Sequence, residues 1–519
     1  MTCYRDSGWC FLVRFLHVRD TTHNKFVPVQ TDKNVVIEKR PLHQDGGFPG
    51  PELLLSIPDV GGDYSRIFFF IFVSLICLLI TVIFKESSHA TKLNNFISSH
   101  IFHLLVGVII AFIEYGAFKD AKEKPEPIYI GSTQLQTFLV PLLFESTFAM
   151  YNKHFFDQFI TIATIALVTN YISVSLVGFI NWNVTWELFD WKMTWSQMFS
   201  MIIISNSVHI LAVYSYFPVR TSPRHKYFYL MIGIHQLQNI STEGSFEIVL
   251  ALAPFKLDNQ AKPSSLLYLI LRTVLSHLAS IVVGTIVGLT LVLVSRLTRQ
   301  VRKSCKYYEP YLIVFGLIST YILCRAYMIN RSLGVIFCSF IQQRYSYCNF
   351  SKDSIMAVKT GIRAISLEVE IIFYVLVGYQ IANIVNRDEF YFSMLTMCLL
   401  FVIRALVILL VSFIMNMTSS GRIGWKLQAL IIFGALRGPR TIGFILQLSG
   451  KPYDTRFING QFYIIIISLL VDTTISKYLS SVIREAEPDG VVLPGEKTMN
   501  KVLKWLMVKE KHMYEILVK

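Results

Sequence analysis

Long apolar blocks, repeated from residue 67 to residue 483, constrain this chain more than any other feature of it. They run about 67–84, 96–118, 135–151, 158–181, 197–217, 227–254, 265–295, 310–329, 332–343, 364–386, 390–416, 427–449 and 460–483. Most have no polar face, and at about 1.5 Å per residue they match roughly 30 Å of hydrocarbon. Backbone groups in lipid must bond to one another, which leaves helices and closed barrels. Barrel strands would alternate polar and apolar residues over segments of about ten, and this sequence does not. The expectation is an all-α polytopic membrane protein with about thirteen spans. Composition agrees: 53% of residues are apolar and 16% charged, against about a quarter charged in soluble domains.

The net charge of +14 sits mostly between the blocks, so anionic headgroups of the inner leaflet are the expected partner rather than nucleic acid. The densest cluster is Arg296, Arg299, Arg302, Lys303 and Lys306. Basic loops alternate with less basic ones and place the C-terminal segment in the cytoplasm. Residues 1–64 read as a polar N-terminal tail and 485–519 as a short cytoplasmic tail with an amphipathic helix from Met499 to Lys519. Two sequons, at Asn183 and Asn330, fall in loops assigned outside and are glycosylation candidates. The eight cysteines show no metal-ligand spacing and no metal site is expected.

An ionisable side chain at membrane depth needs a reason to be there. Glu145, Glu243, Glu247, Arg325, Glu368, Glu370, Arg404, Arg437, Arg440 and Asp472, with His209, His235 and His277, all fall in or near blocks. Two blocks also look interrupted. Ser205-Asn206-Ser207-Val208-His209 is polar at the centre of 197–217, and Gly434-Ala435-Leu436-Arg437-Gly438-Pro439-Arg440 puts two glycines and a proline inside 427–449. Broken helices at corresponding points of two halves mark the midplane site of a secondary transporter. No Walker loop, zinc set or nucleophile–base pair points to an enzyme.

Several stretches resemble one family in order and spacing. Leu139-Val140-Pro141-Leu142-Leu143-Phe144-Glu145-Ser146 resembles Leu-Pro-Pro-Ile-Ile-Phe-Glu-Ser. His209-Ile210-Leu211-Ala212-Val213-Tyr214 resembles the end of Asp-Pro-Val-Ala-Val-Leu-Ala-Val-Phe. Glu370 with Gly378, Ile403-Arg404-Ala405, and Gly434-Ala435-Leu436-Arg437-Gly438 follow in register. The family is that of the eukaryotic sodium/proton exchangers. The resemblance implies inverted repeats and two crossing broken helices, an antiporter-like fold. It implies a transmembrane domain over 65–484, with a core of about 158–254 and 390–484 and a dimerisation part of about 65–151 and 265–350. It also implies a homodimer in the membrane, most readily the plasma membrane. That dimer would exchange Na+ or K+ for H+ in intracellular pH regulation, without a cofactor.

This sequence departs from the family's pattern at the ion site. The family's Asp and Pro align with Asn206 and Ser207, and the Asp of its Asn-Asp pair aligns with Ile240, after Asn239. Asparagine offers a carbonyl to a cation but cannot carry a proton. Asn206, Ser207, Asn239, Glu243 and Glu247 are therefore the candidates for ion binding. Glu243 and Glu247 share the helix face of position 240, displaced along the axis by roughly 4.5 and 10 Å. Glu243 is read either as the substitute carboxylate or as a partner of Arg437 or Arg440. Arg404, Arg437, Glu370 and Glu145 are read as structural charges at the crossing, and Gly434, Gly438 and Pro439 as the helix break. A transport-inactive relative acting as a regulatory subunit, and an altered transporter for anions built on Arg325, Arg437 and Arg440, stay open at this point.

Overall fold

The computed structural model describes residues 71–82, 99–117, 139–188, 195–210, 213–216, 226–252, 263–300, 308–382, 387–418, 421–435, 437–448, 459–471, 475 and 493–518. The chain divides into the units Met1–Gly62 and Asp63–Lys519, and all described residues belong to the second. The expected N-terminal tail and Asp472, with Arg302, Lys303 and Lys306 of the basic cluster, lie outside the described residues.

Every regular element among the described residues is helical. In order they are α1 (Ile71–Val82), α2 (Ser99–Ala117), α3 (Val140–Met150), α4 (Lys153–Asp157), α5 (Phe159–Leu188), α6 (Trp195–Ser205), α7 (Val213–Tyr216), α8 (Lys226–Leu252) and α9 (Pro263–Gln300). Then come α10 (Glu309–Ala326), α11 (Arg331–Arg344), α12 (Lys352–Ala382), α13 (Arg387–Thr418), α14 (Trp425–Phe433) and α15 (Pro439–Leu448). Helices α16 (Asn459–Val471) and α17 (Glu496–Val518) complete the set. Each apolar block coincides with a helix or with a helix in two pieces. By length and composition, spans within α5, α9, α10 and α13 are each able to cross a membrane. Their outer faces stay apolar, as with Val282, Ile286 and Leu293 on α9 and Leu406, Leu410 and Phe413 on α13, all exposed. Exposed rows of this kind suit lipid, not water.

Helices α5, α6, α8 and α13 pack on one another, and α9, α10 and α11 form a second group. Helix α2 lies along α12 at a separation only glycine permits. A Cβ added at Gly107 would stand 2.0 Å from the Val375 carbonyl oxygen, and one at Gly378 would stand 2.0 Å from that of Leu104. Small residues are how helices approach closely where lipid supplies no hydrophobic drive. This contact brings the histidines of α2 against Glu370 of α12.

The C-terminal helix α17 starts at Glu496, three residues before the expected Met499. It packs on α4, α5 and α9. Glu510 accepts hydrogen bonds from Arg344 Nε (3.0 Å) and Nη2 (3.3 Å) and from the Tyr345 hydroxyl.

Candidate functional site

The first break follows α6. Asn206 N still donates to Ile202 O (2.9 Å) and Ser207 N to Ile204 O (3.0 Å), but Ser207, Val208 and His209 leave the helical path. Unpaired backbone groups at membrane depth are costly. Asn239 of α8 meets that requirement. Its Oδ1 accepts from Val208 N (2.9 Å) and its Nδ2 donates to Val208 O (2.7 Å). Gln238 Nε2 donates to Asn206 O (2.9 Å).

The second break separates α14 from α15. Gly434 caps α14, its N–H reaching Leu430 O (2.8 Å). Pro439 opens α15, at the one end of a helix where a missing N–H leaves no bond unmade. Arg437 bridges the gap, with Nη1 donating to Ala435 O (3.1 Å) and Ser207 O (3.4 Å) and its N–H donating to Ser468 Oγ (2.8 Å). The two breaks touch at Gly438. A Cβ there would fall 2.8 Å from His209 Cβ, so only glycine allows the crossing.

Around Asn206 the walls are neutral oxygens and amides. Asn206 Nδ2 donates to Asn170 Oδ1 (2.7 Å), which also accepts from Thr242 Oγ1 (3.3 Å). Ser207 Oγ and Thr441 Oγ1 lie 2.8 Å apart, and Ser205 Oγ donates to Gln461 Oε1 (2.9 Å). Arg404 donates to Gln238 Oε1 (3.3 Å) and Ile431 O (3.3 Å), tying α13 to both breaks. All of these side chains are buried.

A carboxylate does stand at the crossing, and it is Glu370. Its Oε1 lies 2.6 Å from His209 Nε2 and 3.5 Å from His100 Nε2. His103, one turn along α2 from His100, reaches Thr81 Oγ1 on α1 (3.1 Å). Further along, Ser74 donates to Glu368.

A half-open cavity reaches the break. It is lined by Val208 and His209, by the apolar Leu139, Leu142 and Phe444, and by a charged corner of Glu243, Arg331 and Arg440. Glu243 Oε2 accepts from Arg440 Nη2 (3.0 Å) and Ser332 Oγ (2.7 Å), and Oε1 lies 3.5 Å from Arg331 Nε.

These contacts sort the sequence candidates. Asn206 and Ser207 sit at the break as expected. Asn239 has both its polar atoms bonded to the Val208 backbone. Glu243 is not a free carboxylate: two guanidiniums hold it, and it fastens α8 to α11 and α15. The expected partner Arg440 is correct, whereas Arg437 turns to backbone carbonyls instead. Glu247 lies a turn further on, near Arg331 and Arg272. Arg404 and Arg437 bond to carbonyl oxygens at the crossing, and Glu145 on α3 lies 3.9 Å from Arg363. Arg325 is in the last turn of α10, away from the cavity lining. Arg296 and Arg299 fall in the last two turns of α9.

Neither sequon lies in an open loop. Asn183 is inside α5, its Nδ2 donating to Phe179 O (2.9 Å). Asn330 is fully buried and caps α11 by accepting from Leu333 N (2.9 Å).

Sequence reasoning missed Asn170, His100, His103 and Arg331. The first three are polar residues inside apolar blocks, a signal available at the start. Arg331 was hidden by its position between two blocks.

The profile of the family described as "Sodium/hydrogen exchanger, transmembrane" matches residues 67–480. Among curated relatives, Na(+)/H(+) exchanger protein 7 of Caenorhabditis elegans is 22% identical over 385 residues, 70% of this chain and 46% of that protein. Sodium/hydrogen exchanger 8 of Homo sapiens is 21% identical over 403 residues, 77% of this chain and 68% of that one. The chain spans less than half the length of several relatives, among them sodium/hydrogen exchanger 9 of Equus caballus, of which it covers 48%. The solved structure of the sodium proton antiporter MjNhaP1 from Methanocaldococcus jannaschii shares the fold at a TM-score of 0.54 and 15% identity, over 80% of this chain and 98% of that one.

Proposed function

The chain belongs to the sodium/hydrogen exchanger family and is an integral, multi-pass membrane protein, and from that premise we propose that it exchanges a monovalent cation, Na+ or K+, for a proton. The single observation that carries this reading is the crossing itself. Two interrupted helices meet at His209 and Gly438, beside a buried polar cluster around Asn206, and a cavity reaches the crossing at Val208 and His209.

A cation entering lipid depth must exchange its water for fixed oxygens. The side chains of Asn206 and Thr441 supply neutral oxygens at the break. A buried site of fixed negative charge crosses readily only when neutralised, by a cation or by a proton, and that condition couples the two movements. No cofactor enters such a cycle. The same reading makes the protein a contributor to intracellular pH regulation, as a homodimer in the plasma membrane. There the basic residues from Arg296 onward meet anionic lipid of the inner leaflet.

The test is pH recovery in acid-loaded cells lacking their own exchangers. Expression of this chain is expected to restore recovery on addition of Na+ or K+. Surface-expressed protein that gives no recovery with either cation refutes the assignment.

A further inference from the structure

The proton needs a carrier, and Asn206 and Ile240 stand where the family has acids. We propose that the proton is carried by the His209–Glu370 pair, with His100 and His103 as its relay on α2, so that proton and cation occupy different side chains of one site. This rests on the exchange reading above and names the group that does the proton's half of the work.

Geometry comes first. His209 lies in the unwound segment, three residues after Asn206, and lines the cavity. Its Nε2 is 2.6 Å from Glu370 Oε1. Two lone pairs do not approach so closely, so a proton lies between them. With one proton on the ring the pair carries one negative charge, and with two it is neutral. Each turnover therefore changes the buried charge by one unit at the crossing. Beyond Glu370, His100 is 3.5 Å away, the His100 and His103 ring centroids are 6.4 Å apart, and His103 meets Thr81. A file of imidazoles leading from a buried carboxylate is the chemistry of a proton relay.

Charged and titratable groups among the described residues face the pair. From α2 they are His100 and His103, and from α12 itself Tyr374, whose ring is near both His100 and His209. Glu145 faces it from α3, with Arg363 behind. His235 of α8 interacts with His209 of the pair, and also with Arg404 of α13 and Arg437 of the second break. Arg404 and Arg437 are fixed positive charges, already bound to carbonyls and amides. They stay charged, and Glu145 is engaged by Arg363 at 3.9 Å, which leaves the histidines and Glu370 as the groups that hold the exchangeable proton.

Coupling follows from distance. Three residues of chain keep a cation at Asn206 within about 11 Å of the His209 ring's backbone. Two unit charges at that separation change each other's occupancy by about tenfold at an effective dielectric near 20. A bound cation drives the second proton off His209, and protonation of His209 drives the cation out, without a shared ligand.

The experiment uses the full chain in proteoliposomes and compares two tracer fluxes: Na+ uptake driven by a proton gradient, and Na+/Na+ exchange, which moves no proton. In Glu370→Gln and His209→Gln the ratio of the first flux to the second is expected to fall by about tenfold, and the dependence of uptake on pH to flatten. Glu370→Asp, which keeps an acid, is expected to restore part of the ratio with a displaced pH profile. An unchanged ratio and profile in both Gln variants overturns the proposal. Equal loss of both fluxes, in protein that inserts normally, also overturns it and leaves the pair a structural role. A wild-type chain with neither flux means that the exchange reading itself has failed.

Infrared difference spectra of the wild type on Na+ addition provide a measure independent of variants. Imidazole ring bands are expected to move toward the neutral form, and bands that do not move count against the proposal.

Discussion

Replacing Glu243 by Gln separates the two roles open to that residue. The carboxylate is 4% exposed and lies 3.0 Å from Arg440 Nη2 and 3.5 Å from Arg331 Nε. At an effective dielectric near 20, each contact is worth about 5 kcal/mol of attraction. Desolvation of three charged groups opposes most of that gain. Removing the one anion leaves two guanidiniums facing each other in a buried corner, and a loss of about 3–5 kcal/mol is expected. The double variant Glu243→Gln/Arg440→Gln relieves part of that repulsion. It should be destabilised by less than the sum of the singles, with a coupling of about 1–3 kcal/mol. Thermal unfolding of the purified protein in detergent reads the stability, and the flux ratio described above reads the coupling. If Glu243→Gln unfolds at the wild-type midpoint yet loses proton coupling, the assignment is wrong and Glu243 is the carrier.

Asn239→Ala removes both side-chain bonds to Val208 and leaves a buried N–H and C=O unmet. A loss of about 2–5 kcal/mol is expected in the same unfolding assay, whatever cation is present. Gly378→Val thrusts a side chain at the Leu104 carbonyl and separates α2 from α12. Poor insertion or a loss of at least about 3 kcal/mol is expected, measured by monodispersity in detergent. Asn330→Ala removes a helix cap worth about 1 kcal/mol and is expected to leave gel mobility with and without glycosidase unchanged. For Glu510, burial alone would raise the carboxyl, but hydrogen bonds from Arg344 and Tyr345 outweigh it and hold the group below the usual carboxylate range. Its contribution is therefore complete above the unfolded value near pH ~4.3 and disappears as pH falls through the lower folded value. Arg344 is 42% exposed, so the gain is under about 1 kcal/mol. Hydrogen exchange of α17 is expected to rise at acid pH in the wild type and to lose that dependence in Glu510→Gln.

The sequence by itself determined the helices, the two breaks and the family. Apolar length selects helices in lipid, and Gly434, Gly438 and Pro439 act through local backbone chemistry that needs no neighbour. Burial of Asn206, Arg404 and Arg437 was equally legible, because a polar residue deep in an apolar block has few places to go. What the sequence left open was partner choice. Helical periodicity placed Glu243 on the face of Ile240, but it says nothing of how neighbouring helices are turned about their axes. Only tertiary packing set Arg331 and Arg440 against Glu243, and Asn239 against the backbone of Val208. The same packing brought Glu370 to His209 across 161 residues of chain, and the glycine contact of α2 with α12 set His100 beside it. Charges find one another across helices by rotation and depth, and those are properties of the bundle.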